Sequence, residues 1–291
     1  VDASPAGSPP PDTEDEGPPR RRRGDPLGLI DLVRDLLRLD RAALVILVMV
    51  PVALTLLDYY GMPWHWSRYE ETHTQLAGRR MQGAEPRIPP MSRELIGSID
   101  LPGPPELQPF VWWGLACLVT LILMPLLAGA LVGRSPRSLG LRLKGTGREA
   151  PTYLVLYLVF LPVVWMVSRW PGFLATYPFF PPARQGGLTA TFWTFEAIYC
   201  LQFLGIELFF RGFIVLGLKP SLGRGSILAM LAPYCMIHYY KPMPEALGAI
   251  GAGLVLGSLA WRSGTIVYGW LLHFAVALSM DLLALHARGV L

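Results

Sequence analysis

The chain has 291 residues, of which 52% are hydrophobic and 16% charged, with a net charge of +4. Its mean hydropathy is +0.40. So few charged residues, against about a quarter in a soluble domain, cannot cover a water-soluble globule of this size. Most basic residues lie in short runs beside apolar stretches, which argues against the basic folded face of a nucleic-acid binder. Cys117, Cys200 and Cys235 sit in apolar stretches with no CxxC pair, so neither a disulfide framework nor a thiolate zinc site is expected.

Residues 1–26 are Pro-rich and acidic and end in Arg20, Arg21, Arg22 and Arg23. With no apolar run, this reads as a disordered tail rather than a secretory signal. In 27–40, Leu29, Leu32, Val33, Leu36 and Leu37 recur at helical spacing while Asp31, Arg34, Asp35 and Arg38 take other faces. That pattern predicts an amphipathic helix lying along the membrane surface.

A spanning helix needs about 20 mostly apolar residues. Stretches that qualify, or come near, are 41–60, 109–133, 151–169, 188–217, 226–240, 244–261 and 265–285. The expected fold is therefore an all-α integral membrane protein, a bundle of about seven transmembrane helices behind a disordered tail. Segment 41–133 holds two of them and a long loop, 61–108. Segment 134–291 forms the membrane core. The 226–240 stretch is short and needs shielding by its neighbours.

Basic residues set the expected orientation in the cell membrane. The arginine run before the first span places the N-terminus in the cytoplasm. Arg134, Arg137, Arg142, Lys144 and Arg148 in one connection fall on that same side, as do Lys219, Arg224 and Arg262. The 61–108 loop then lies opposite; its five arginines and six acids weigh little in so long a loop. Gly253 and Gly257 are four apart in a glycine-rich segment, a spacing that suits close helix packing or room for a substrate helix.

Ionisable groups at mid-bilayer cost at least about 2.5–3.5 kcal/mol, and usually face a protein interior or a wet cavity. Glu207 and Arg211 lie four apart in LGIELFFRG, on one helical face, as a locking ion pair or a functional one. His238 ends APYCMIH, and His273 is embedded in YGWLLHFAVAL. Counted from the basic side, the three depths are about 15, 18 and 12 Å for Glu207, His238 and His273. Three helices thus bring a carboxylate and two imidazoles to nearly one level. A carboxylate with a His can deprotonate water, and a second His can donate to an oxyanion. Two His and one Glu could instead hold zinc, although no HExxH is present. No paired broken helices mark the inverted repeats of a transporter.

These residues resemble the signature of the CAAX protease and bacteriocin-processing (CPBP or Abi) family, which includes the type II CAAX prenyl endopeptidases. The family pattern is Glu-Glu-xxx-Arg, then Phe-xxx-His, then His-xxx-Asn or Asp. Here the blocks read Ile206-Glu207-Leu-Phe-Phe-Arg211, Tyr234-Cys-Met-Ile-His238 and His273-Phe-Ala-Val-Ala277. The resemblance covers about 134–285 and leaves out the first 108 residues. It implies a metal-independent intramembrane endopeptidase acting on a peptide or membrane-protein substrate. In that picture the first Glu and the block-two His activate water, and the block-three His and Asn form the oxyanion site. Arg211, His238 and His273 match the pattern, and Glu207 matches the second Glu. Ile206 and Ala277 depart from it, where the general base and the Asn belong. Glu196, close to three whole turns before Glu207, and Asp281, eight residues after His273, are candidates for a supporting role. The alternative implied by the two departures is an inactive relative that binds a membrane segment as a scaffold or immunity-type factor.

Overall fold

The computed structural model describes residues 40–62, 101–239 and 241–291. The expected tail, all of the expected amphipathic helix over 27–40 except Asp40, and most of the 61–108 loop lie outside the described residues.

Every regular element among the described residues is helical, and six helices are long and apolar enough to cross a membrane. They are α1 (Arg41–Gly61), α2 (Gln108–Leu131), α3 (Gly147–Val167), α6 (Ala190–Leu222), α8 (Met243–Ser263) and α9 (Val267–Ala287). Between α3 and α6 lie two short helices, α4 (Pro171–Thr176) and α5 (Ala183–Gly186). The seventh stretch expected from the sequence is α7 (Gly225–Met236), a 12-residue helix. At about 1.5 Å per residue it reaches roughly 18 Å, short of a ~30 Å hydrocarbon core. It survives because α6 and α8 pack along it.

The sequence explains where the helices begin and end. Asp40 caps α1 by accepting from Ala42 N at 3.4 Å, and it also takes a hydrogen bond from the Ser221 hydroxyl. Thr189 caps α6, its hydroxyl accepting from Phe192 N at 3.2 Å. Gly264 ends α8 in the left-handed region at φ +65°, a conformation that costs a residue with a Cβ about 1–2 kcal/mol.

The basic residues close one end of the bundle. Arg134 donates to Gly217 O at 3.3 Å. Arg142 donates to Ser263 O at 2.6 Å, and Lys219 to Trp261 O at 2.7 Å. Cations meeting carbonyls at or near helix C-termini are favoured by the helix dipole. The three connections expected on one side therefore do share one end, tied together further by Ile266 N donating to Gly140 O at 3.1 Å.

α6 is the axis of the fold. Of its apolar window 89% is buried inside the protein, against 11% for α3. α3 packs chiefly on α9, where Tyr157 and Ser279 share a hydrogen bond of 2.9 Å. Gly253 and Gly257 do serve close packing. A methyl on Gly253 would fall 2.7 Å from Leu231 Cδ1 and 3.0 Å from the Tyr234 ring, and one on Gly257 would fall 2.9 Å from Met230 Cε. These missing side chains let α8 press on α7 and hold Tyr234 inward.

Candidate active site

The middle of α6 departs from regular winding. Residues Glu207–Leu216 form a π-helical stretch, and all ten are buried. Hydrogen bonds that skip an extra residue widen the turn and change which way side chains face, a feature often found at functional sites. The stretch begins at Glu207, so the helix changes phase where the ionisable residues enter the core. Ile206, one residue earlier, packs in the hydrophobic core at 7% exposure.

Glu207 is 1% exposed and Arg211 is fully buried. Arg211 Nη1 lies 3.1 Å from Glu207 Oε1, the i,i+4 pair expected from the sequence. None of the guanidinium nitrogens makes a well-aligned hydrogen bond. Charge and an aromatic face hold the group instead: Arg211 Cζ sits 4.0 Å from the centroid of the Tyr234 ring.

The same Oε1 of Glu207 lies 3.1 Å from His273 Nδ1. A carboxylate only accepts, so Nδ1 carries the proton and Nε2 of a neutral imidazole is left as a base. The His273 ring rests on Phe203 at 4.6 Å between centroids, and its side chain keeps 19% exposure. Phe203 ends an aromatic row on α6 that includes Phe195 and Tyr199.

His238 follows α7. Its Nδ1 meets Tyr234 O at 2.8 Å, and its ring is edge-on to Tyr234 at 4.7 Å. A carbonyl also only accepts, so here too Nδ1 holds the proton and Nε2 is free as a base. His238 and His273 are near enough to interact electrostatically. A chain of contacts thus runs His273–Glu207–Arg211–Tyr234–His238 through α9, α6 and α7. Four of these five residues were singled out from the sequence; Tyr234 was seen only as a motif position. Its stacking on Arg211 joins two separate helices, which no sequence spacing signals.

Glu196 and Asp281 do not join this chain. They are 2% and 0% exposed and interact with each other. Glu196 lies about 16 Å from Glu207 along α6, and Asp281 about 12 Å from His273 along α9. Asp281 Oδ1 accepts from Phe179 N at 2.9 Å, fixing the loop after α4. Glu196 Oε1 and Oε2 and Asp281 Oδ2 have no hydrogen-bond partner as bare carboxylates. Two carboxyl groups can hydrogen-bond to one another only when one carries a proton. Nearby, Tyr177 donates to Glu245 at 3.0 Å and accepts from Lys241 at 3.0 Å. Burial and Glu245 push the Tyr177 hydroxyl well above its ordinary range.

Ala277, one turn after His273, is buried at 5% exposure and offers only a methyl. Among the described residues no three His, Cys, Asp or Glu side chains converge to hold a metal ion. Cys117 is buried and Cys200 and Cys235 are half-buried, all as free thiols.

No curated protein and no solved structure matches the chain. Residues 188–279, from the start of α6 into α9, match the family described as type II CAAX prenyl endopeptidase Rce1-like. That stretch contains Glu207, Arg211, Tyr234, His238, Gly269 and His273, so the family resemblance carried by the three motif blocks holds over this part of the membrane core.

Proposed function

We propose that the protein is an intramembrane endopeptidase that hydrolyses a peptide or membrane-protein substrate with water activated by the Glu207–His273 pair. The observation that carries this reading is the 3.1 Å contact between Glu207 Oε1 and His273 Nδ1, made between separate helices inside the membrane core. Glu207 fixes the tautomer and orientation of His273 and stabilises the imidazolium that forms when its Nε2 takes a proton. The water oxygen then bonds to the scissile carbonyl carbon. When the C–N bond breaks, His273 Nε2 returns the proton to the leaving amine. His238 Nε2, also an acceptor, orients the same water. Arg211, 3.1 Å from the same Oε1, holds the Glu207 carboxylate in place.

The metal-free character is part of this proposal. Cleavage is expected to survive chelation; loss with a chelator and recovery with zinc would contradict it.

A second reading rests on Ile206 and Ala277, which remove a carboxylate and an amide from two expected positions. On it, the chain is an inactive relative that binds a membrane segment. Comparing peptide termini in membranes carrying the native protein with those carrying Glu207→Gln, His238→Ala or His273→Ala separates the two. Termini that depend on all three residues support hydrolysis. Identical termini in all four membranes, with all variants inserted, support the binding role.

A further inference from the structure

Gly269 lies on α9 one turn before His273, facing α6. A methyl group on its Cα would fall 2.6 Å from Glu207 Oε2 and 3.3 Å from Glu207 Cδ. The first distance is shorter than any real contact of that kind, so something would have to move. The obstructed atom is the end of a flexible side chain, not backbone. The helices can therefore stay in place while the carboxylate is displaced. Glu207 has little freedom to do this without loss, because its Oε1 is 3.1 Å from both Arg211 Nη1 and His273 Nδ1.

We infer that Gly269 is a positioning residue, whose absent side chain is the slot through which the Glu207 carboxylate reaches His273 Nδ1. A stripe of glycines that merely let helices approach would meet backbone or apolar side chains, as Gly253 and Gly257 do. Gly269 meets a carboxylate. The inference builds on the reading of His273 as the base, but its structural content can be tested without a substrate.

The test uses the full chain in lipid nanodiscs with ¹⁵N-labelled histidine, the His273 signal being identified by its loss in His273→Gln. Native protein is expected to show His273 protonated at Nδ1. Gly269→Ala is expected to lose that signature and give a mixture of tautomers, as Glu207→Gln does. Gly251→Ala, whose new methyl meets nothing within 4 Å, is expected to leave it unchanged. An unchanged His273 signature in Gly269→Ala overturns the inference. If Gly269→Ala accumulates too poorly for spectroscopy, its thermal destabilisation is compared in native and Glu207→Ala/Arg211→Met backgrounds. Destabilisation that vanishes when Glu207 is removed supports the slot; destabilisation that persists assigns Gly269 to helix packing and overturns it. Cleavage tests the two ideas apart: no cleavage by native protein sinks the hydrolytic reading alone, whereas full cleavage by Gly269→Ala with an unaltered tautomer sinks only the slot.

Discussion

Replacing Arg211 with Met should be among the most damaging single changes to stability in the described core. Arg211 and Glu207 are at 0% and 1% side-chain exposure, with charges 3.1 Å apart. At an effective dielectric near 20, a pair at that distance attracts by about 5 kcal/mol. Part of this is offset by desolvating both groups, but Arg211→Met recovers none of the desolvation cost of Glu207. Breaking a buried pair in this way costs about 3–5 kcal/mol, or roughly two to four powers of ten in the unfolding constant. Removing both partners is different. Glu207→Leu/Arg211→Met should restore most of the loss, because no uncompensated charge remains. The assay is equilibrium unfolding in mixed micelles, followed by tryptophan fluorescence for all four members of the cycle. A loss under about 1 kcal/mol for Arg211→Met, or a double variant as unstable as the single, would refute the buried ion pair.

Ala277→Asn should increase cleavage, since a donor one turn after His273 can reach a developing oxyanion; one such donor is worth about 10²–10³ in kcat, and unchanged turnover would count against that placement. Glu196→Gln should leave the melting temperature unchanged or raised, because an amide supplies the donor that Asp281 lacks, whereas a fall of several degrees would show that the acid itself is needed. Gly253→Val should destabilise by about 1–3 kcal/mol through overpacking against Leu231 and Tyr234, read by thermal unfolding, with an unshifted midpoint contradicting the close α7–α8 contact. Tyr177 has a raised hydroxyl pKa in the fold. Its contribution should therefore be complete below about pH 10, the unfolded value, and lost as pH rises beyond it. Tyr177→Phe should flatten that alkaline decline, and an identical pH profile would argue against it.

Much of this site is legible in the sequence because the membrane makes polarity expensive. The Glu207–Arg211 pair follows from i,i+4 spacing inside an apolar run. The shared level of Glu207 and His273 follows from counting residues from the basic end. Close packing at Gly253 and Gly257 follows from their spacing. Other features depend on tertiary information that spacing does not hold. Helical periodicity places Glu196 on a face related to Glu207, but three turns away the helix meets Asp281 and the loop at Phe179 instead. The π-helical stretch from Glu207 has no signature in LGIELFFRG. Residues 226–240 are apolar enough to suggest a span, yet α7 ends at Met236, with His238 beyond it. Gly269 is one of the chain's 30 glycines, and only the position of Glu207 makes it unusual.

The decisive measurement is a double-mutant cycle on the cleavage rate, with Glu207→Gln, His273→Ala and the combined variant in liposomes. If Glu207 acts by orienting and charging His273, each single change removes the same device. The combined variant should then be no slower than His273→Ala alone. Losses that multiply, or a Glu207→Gln protein cleaving at the native rate, would contradict a shared buried dyad.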